Sequence, residues 1–132
     1  MRELLAVIVG GLIGTGLRLG LDTVLWHQPR EFPWSTLIVN IVGSFVLGFL
    51  VARLWPVAPP WLRSGLGAGL LGSFTTFSAV ALSVVTITAF SSIVLALVFL
   101  GAMIVGGFGA ALAGIRLGRR RADAVAPDAV PE

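Results

Sequence analysis

The 132-residue chain predicts an all-α membrane protein, four transmembrane helices with the third broken near its middle. Three observations lead there. The composition is 57% hydrophobic and 11% charged, with a mean hydropathy of +1.01, more apolar side chain than a soluble domain this short can hide. From Ser64 to Ile115 there are 52 residues without a formal charge, and a helical crossing needs only about 20. Two further apolar runs, 4–25 and 35–55, come before it. Residues 1–121 therefore form one membrane unit with no separate soluble domain.

Helix 1 is predicted over 4–25. Arg2 followed by an apolar stretch resembles a signal peptide. No A-x-A site follows, however, and Arg18 and Asp22 sit within the run, so a retained helix is expected. "HQPREFP" carries Pro29 and Pro33 and leads to helix 2, 35–55. "WPVAPP" interrupts the chain, because proline lacks an amide donor and resists helix. Helix 3, 61–89, follows. A turn near Phe90-Ser91-Ser92 starts helix 4, 92–117. The tail, 122–132, is small and polar without apolar pattern and is expected to be disordered in the cytoplasm.

With four spans, the N-terminus, the loop between helices 2 and 3 and the C-terminus share one side. Seven of the nine basic residues, all arginine, fall there: Arg2, Arg53, Arg63, Arg116, Arg119, Arg120 and Arg121. Arg18 and Arg30 belong to the other side. The excess predicts one fixed orientation in the plasma membrane, both termini cytoplasmic. It also accounts for the pI of 11.5 better than nucleic-acid binding does.

Several chemistries are excluded. There is no cysteine, hence no disulfide, thiolate metal site or thiol catalysis. The single histidine, His27, lies in a loop without a nucleophile or metal partner, so no enzyme is expected. No P-loop indicates ATP use. A proton-coupled multidrug exporter needs a carboxylate within a span, but Glu3 and Asp22 lie at or near helix ends.

Polar residues inside the spans are the informative ones. Gly10 and Gly14, Gly16 and Gly20, and Gly106, Ala110 and Gly114 recur every four residues, which suits close helix packing. Thr36, Asn40, Ser44 and Gly48 form one ridge of helix 2. Asn40 either makes an interhelical hydrogen bond that fixes packing or presents a donor to an ion path. Arg18 either pairs with Asp22 at i, i+4 or lines a positive vestibule. "GLLGSFTTFSAV", 69–80, gathers Gly72, Ser73, Thr75, Thr76 and Ser78 at mid-span. Gly72 weakens a helix, and hydroxyls can cap freed backbone groups. A mid-membrane break is tolerated only in protein or along a cavity. Its carbonyls suit a small cation, and its amides and hydroxyls suit an anion. Phenylalanine adds a positive ring edge.

Three motifs carry a resemblance: "GGLIGTGLRLGL" at 10–21, "FPWSTLIVNIVGSFVLGFL" at 32–50 and "GLLGSFTTFS" at 69–78. In order and spacing they resemble the CrcB/Fluc family of fluoride channels. The resemblance implies a passive channel that exports cytoplasmic fluoride and protects against its toxicity. It also implies an antiparallel dimer with two pores along the interface. A structural Na⁺ at the dimer centre would rest on the carbonyls of Gly72 and Thr75. Asn40 matches the pore asparagine, Phe77 the first pore phenylalanine, Thr76 the hydroxyl beside it and Arg18 the helix 1 arginine. Ser44 and Ser78 are counted with the pore. The chain departs from the family where a second pore phenylalanine is usual, at Val80, and Ser83 stands near a frequent acidic position. Helix 4 has no Ser, Thr, Asn or Gln after Ser92, with Phe99 and Met103 where Tyr and Ser are frequent. Some members work as heterodimeric pairs. These departures and the arginine bias suggest one half of such a pair, conducting or not, the alternative being a homodimer with an altered pore.

Overall fold

The computed structural model describes residues 1–25 and 31–125. Four helical spans fill it, all long and apolar enough to cross a membrane. The first is α1 (Arg2–Val24) and the second α2 (Trp34–Arg53). The third is composite: α3 (Pro60–Ser64), a π-helical stretch Gly65–Leu71, the short α4 (Gly72–Phe74) and, past a break, α5 (Phe77–Phe90). The fourth, α6, runs Ile93–Val125. His27, Pro29 and Arg30 of the first loop lie outside the described residues.

The ends follow local chemistry. Pro59 precedes Pro60 at the first turn of α3, where a missing amide costs nothing. The Leu95 amide donates to the Ser92 hydroxyl at 3.1 Å, an N-cap that starts α6. The fourth helix passes its expected end at 117. "RLGRRRADA" is rich in Arg, Ala and Leu, good helix formers. The glycine at 118 meets the Phe49 carbonyl and the Ala52 methyl of α2. The tail expected to be disordered from 122 is thus helical to Val125, and 126–132 lie outside the described residues.

α2 packs chiefly on α6, and α1 on the third span. In hydrocarbon there is no water to drive these pairings, so close backbone approach has to do it. Gly48 lies against the Ala111 carbonyl, and Gly114 against the Phe45 carbonyl. On the other side Gly10 faces the Gly65 carbonyl and Gly14 the Leu70 carbonyl. Gly16 and Gly20, expected to pack likewise, meet nothing within 4 Å. They lie in the half of α1 that runs past the break. A compact core of Leu37, Val80, Ile87, Ala96 and Phe99 joins α2, α5 and α6. Phe32 closes it edge-on against Phe99, ring centroids 5.5 Å apart.

The packing gathers charge at one end. The start of α1 lies beside Pro60, Trp61 and Ser64, and the end of α6 beside the end of α2. Arg2, Arg53, Arg63, Arg116, Arg119 and Arg120 therefore share that end, while Arg18 and Asp22 belong to the other. The chain is a multi-pass membrane protein.

Candidate functional site

The expected break in the third span is present, but Gly72 does not make it. Gly72 keeps helical angles, φ −64° and ψ −28°. The chain becomes extended at Thr75, φ −82° and ψ 157°, and at Thr76, φ −154° and ψ 127°. Both are β-branched, which favours extended backbone. The Thr75 hydroxyl adds to a backbone bond that its own amide makes to Leu71, and the Thr76 hydroxyl stands in for a backbone acceptor. Thr75 Oγ1 donates to the Leu71 carbonyl at 2.8 Å. Thr76 Oγ1 accepts from the Ala79 amide at 3.3 Å, capping α5.

Asn40 holds the break from α2. The Thr76 amide donates to its Oδ1 at 3.0 Å. Its Nδ2 donates to the Thr36 carbonyl at 2.9 Å and, more weakly, to the Thr76 carbonyl at 3.4 Å. Of the two roles open to this amide, the interhelical bond is formed within the chain. One turn on, the missing side chain of Gly43 admits the Thr75 methyl. A glycine is needed there because the threonine lies where a Cβ would stand.

These bonds take away the amides that a continuous helix would give to the Gly72 and Thr75 carbonyls. The Thr76 amide, which would close the helical turn onto the Gly72 carbonyl, is taken by Asn40. The Ala79 amide, which would serve the Thr75 carbonyl, is taken by the Thr76 hydroxyl. Asn40, Ser44, Gly72 and Thr75 line one open pocket of about 230 Å³ between α2 and the third span. Oxygen donors in this setting fit a hard cation such as Na⁺. Thr76 and Ser78 lie outside that pocket, their hydroxyls 3.0 Å apart. Phe77 stands 85% exposed. Ser44 also borders a second groove, of about 250 Å³, with Met103 and Phe108 of α6.

Arg18 lies apart from this group. Its Nε pairs with Asp22 Oδ2 at 3.5 Å, so the local ion pair forms. Its Nη1 is nevertheless buried without a partner, a costly state for a charged donor.

Not expected from the sequence were the π-helical stretch and the place that Gly43 leaves for the Thr75 methyl. The signal for the first was the run of glycines at 65, 67 and 69, and π-helical turns are frequent at functional sites. Val80 and Phe99, two of the departures noted above, meet in the same core cluster. Val80 is 7% exposed and Phe99 fully buried. Val80→Phe is therefore expected to overpack this cluster and cost about 1–3 kcal/mol, measured as a lower thermal midpoint in detergent. Phe99→Leu in the same chain should recover part of the loss.

The chain matches the family described as CrcB-like protein, Camphor Resistance (CrcB), over residues 5–115. It is 43% identical over 121 residues to Fluoride-specific ion channel FluC 2 of Halalkalibacterium halodurans, covering 89% of this chain and 86% of the relative. It is 38% identical over 122 residues to Fluoride-specific ion channel FluC of Stutzerimonas stutzeri, covering 90% and 98%. A third relative, Fluoride-specific ion channel FluC of Pseudomonas putida, is 41% identical over 119 residues, covering 86% and 94%. With its four spans, its Asn40-held break and these matches along nearly its whole length, the chain belongs to the CrcB-like family.

Proposed function

We propose that this chain is a subunit of a passive, fluoride-selective channel that lets fluoride leave the cytoplasm down its gradient. It is a transport protein, not an enzyme. The observation that carries the reading is the exposed break in the third span. Gly72 is exposed and Phe77 is 85% exposed, at mid-length of a span that runs Pro60–Phe90. Broken backbone is tolerated in hydrocarbon only where protein or a water-filled cavity covers it. A second subunit is the natural cover, and an antiparallel one brings the two breaks together.

In that dimer the Phe77 ring edge and the hydroxyls of Thr76, Ser78 and Ser44 would face the anion. Such groups attract fluoride and still release it, as conduction requires. Asn40 contributes by fixing the backbone that carries these groups. Arg18, paired with Asp22 near the other end of α1, would give that entrance a positive vestibule. Gly72 and Thr75 from each subunit would offer carbonyl oxygens to a Na⁺, whose charge holds the two breaks together. The arginine excess fixes one orientation with both termini cytoplasmic. An antiparallel partner must then insert the other way, which favours a second family member over a second copy. The fourth helix without hydroxyls, lining its groove with Met103 and Phe108, points the same way.

The test is fluoride efflux from liposomes holding this chain alone, with chloride as control, and then holding a co-expressed second family member. Selective efflux only from the pair is the expected result. Full efflux from this chain alone would make it a homodimer. None from either preparation, with folded protein, would remove the channel reading.

A further inference from the structure

Two openings that share Trp61 lie along α1 against the third span and are read as one groove. Its wide mouth, about 800 Å³, is bordered by Arg2, Glu3, Leu4, Trp61 and Ser64. It continues as a narrow slot of about 190 Å³ between Val9 and Ile13 of α1 and Trp61, Leu66 and Leu70 of the third span. No polar atom lines the slot. Trp61 borders both parts and is 43% exposed.

The groove therefore changes character along its length, from charged to wholly apolar. From Arg2 to Ile13 the helix rises about 16 Å, close to half of the hydrocarbon core of about 30 Å. A tryptophan at the junction is the usual marker of the headgroup level. Glu3 is the only acidic residue on the mouth. Arg53, Arg63, Arg116, Arg119 and Arg120 gather at the same end, so the local field is positive. Basic pockets between spans attract anionic headgroups. A soluble anion would have no use for the slot, and an apolar ligand none for Arg2.

We propose that this groove binds one anionic phospholipid, of the phosphatidylglycerol type, from the leaflet at the N-terminal end. One acyl chain lies in the slot between Val9 and Leu66, and the phosphate sits by Arg2 beneath Trp61. The site does not depend on the fluoride reading, because neither wall belongs to the Asn40-held break.

The test is native mass spectrometry of the full chain, delipidated in detergent and reloaded with phosphatidylglycerol or with phosphatidylcholine of identical acyl chains. Phosphatidylglycerol should be retained about fivefold better, the preference that one arginine near the surface supplies. Arg2→Gln should abolish the preference. Val9→Trp should fill the slot and lower retention of both lipids. Val9 is 54% exposed, so the variant folds, and circular dichroism checks this. Inorganic phosphate should not displace the lipid. Equal retention of the two lipids, a preference that survives Arg2→Gln, or unchanged retention by Val9→Trp would each overturn the proposal. So would displacement by phosphate, or loss of dimer mass in Val9→Trp without any lipid bound, which would put a second copy in the groove. Fluoride efflux of the paired channel stays unchanged in both variants, so failure here is distinct from failure of the channel reading.

Discussion

Replacing Asn40 with alanine is expected to abolish fluoride efflux, by more than about a hundredfold, and to destabilise the chain. The physical reason lies in three bonds. The Thr76 amide loses its acceptor, and the Thr36 and Thr76 carbonyls lose a donor. In hydrocarbon no water replaces them. A buried backbone group left unsatisfied costs about 1–3 kcal/mol. The Thr76 amide would then turn back towards the Gly72 carbonyl, the partner a continuous helix gives it. That closes the break, occupies the Gly72 carbonyl and rotates Phe77 with the start of α5. Asn40→Asp separates the two contributions. It keeps an acceptor for the Thr76 amide but sets a carboxylate against two carbonyls, so it should insert poorly and conduct little. Efflux from proteoliposomes and the thermal midpoint in detergent are the measurements. An Asn40→Ala channel with ordinary efflux would show that the break stands without its clamp.

Gly14→Ala is expected to have the second largest effect, a loss of folded protein. A Cβ there would overlap the Leu70 carbonyl and crowd the Phe74 amide. Neither is a side-chain end that can swing aside. The two helices must separate, at about 3 kcal/mol, the upper part of the usual range for overpacking. Because the displaced backbone leads directly into Gly72–Phe74, the break moves with it, and efflux should fall together with stability. Gly16→Ala is the control on the same helix. Its Cβ would meet nothing within 4 Å, and alanine is the better helix former by up to about 1 kcal/mol. In the isolated subunit it should be neutral or slightly stabilising. If it destroys dimers while the subunit stays folded, Gly16 lies against the partner.

The sequence alone determined what depends on local composition. Runs of apolar residues set the four spans, because desolvation in a bilayer is read residue by residue. The alternation of spans set the end where the arginines gather. The cluster of hydroxyls at 73–78 marked the third span as broken, since such groups need partners at that depth. Three motifs at their natural spacing carried the family.

Only the tertiary structure decided what depends on residues far apart in the chain. The break was expected within 69–80, where Gly72 weakens the helix and hydroxyls gather, without a residue assigned to it. It formed at Thr75 and Thr76, because Asn40, 36 residues away from Thr76, captures the amide that a helix would have used. Nothing in residues 69–80 states which carbonyl that amide will find. The same holds for the glycines. Gly14 and Gly16 look alike as sequence, but one lies against the Leu70 carbonyl and the other against nothing in its subunit. Which face of a uniformly apolar helix turns inward is settled by the surface it meets, and hydropathy carries no record of that surface.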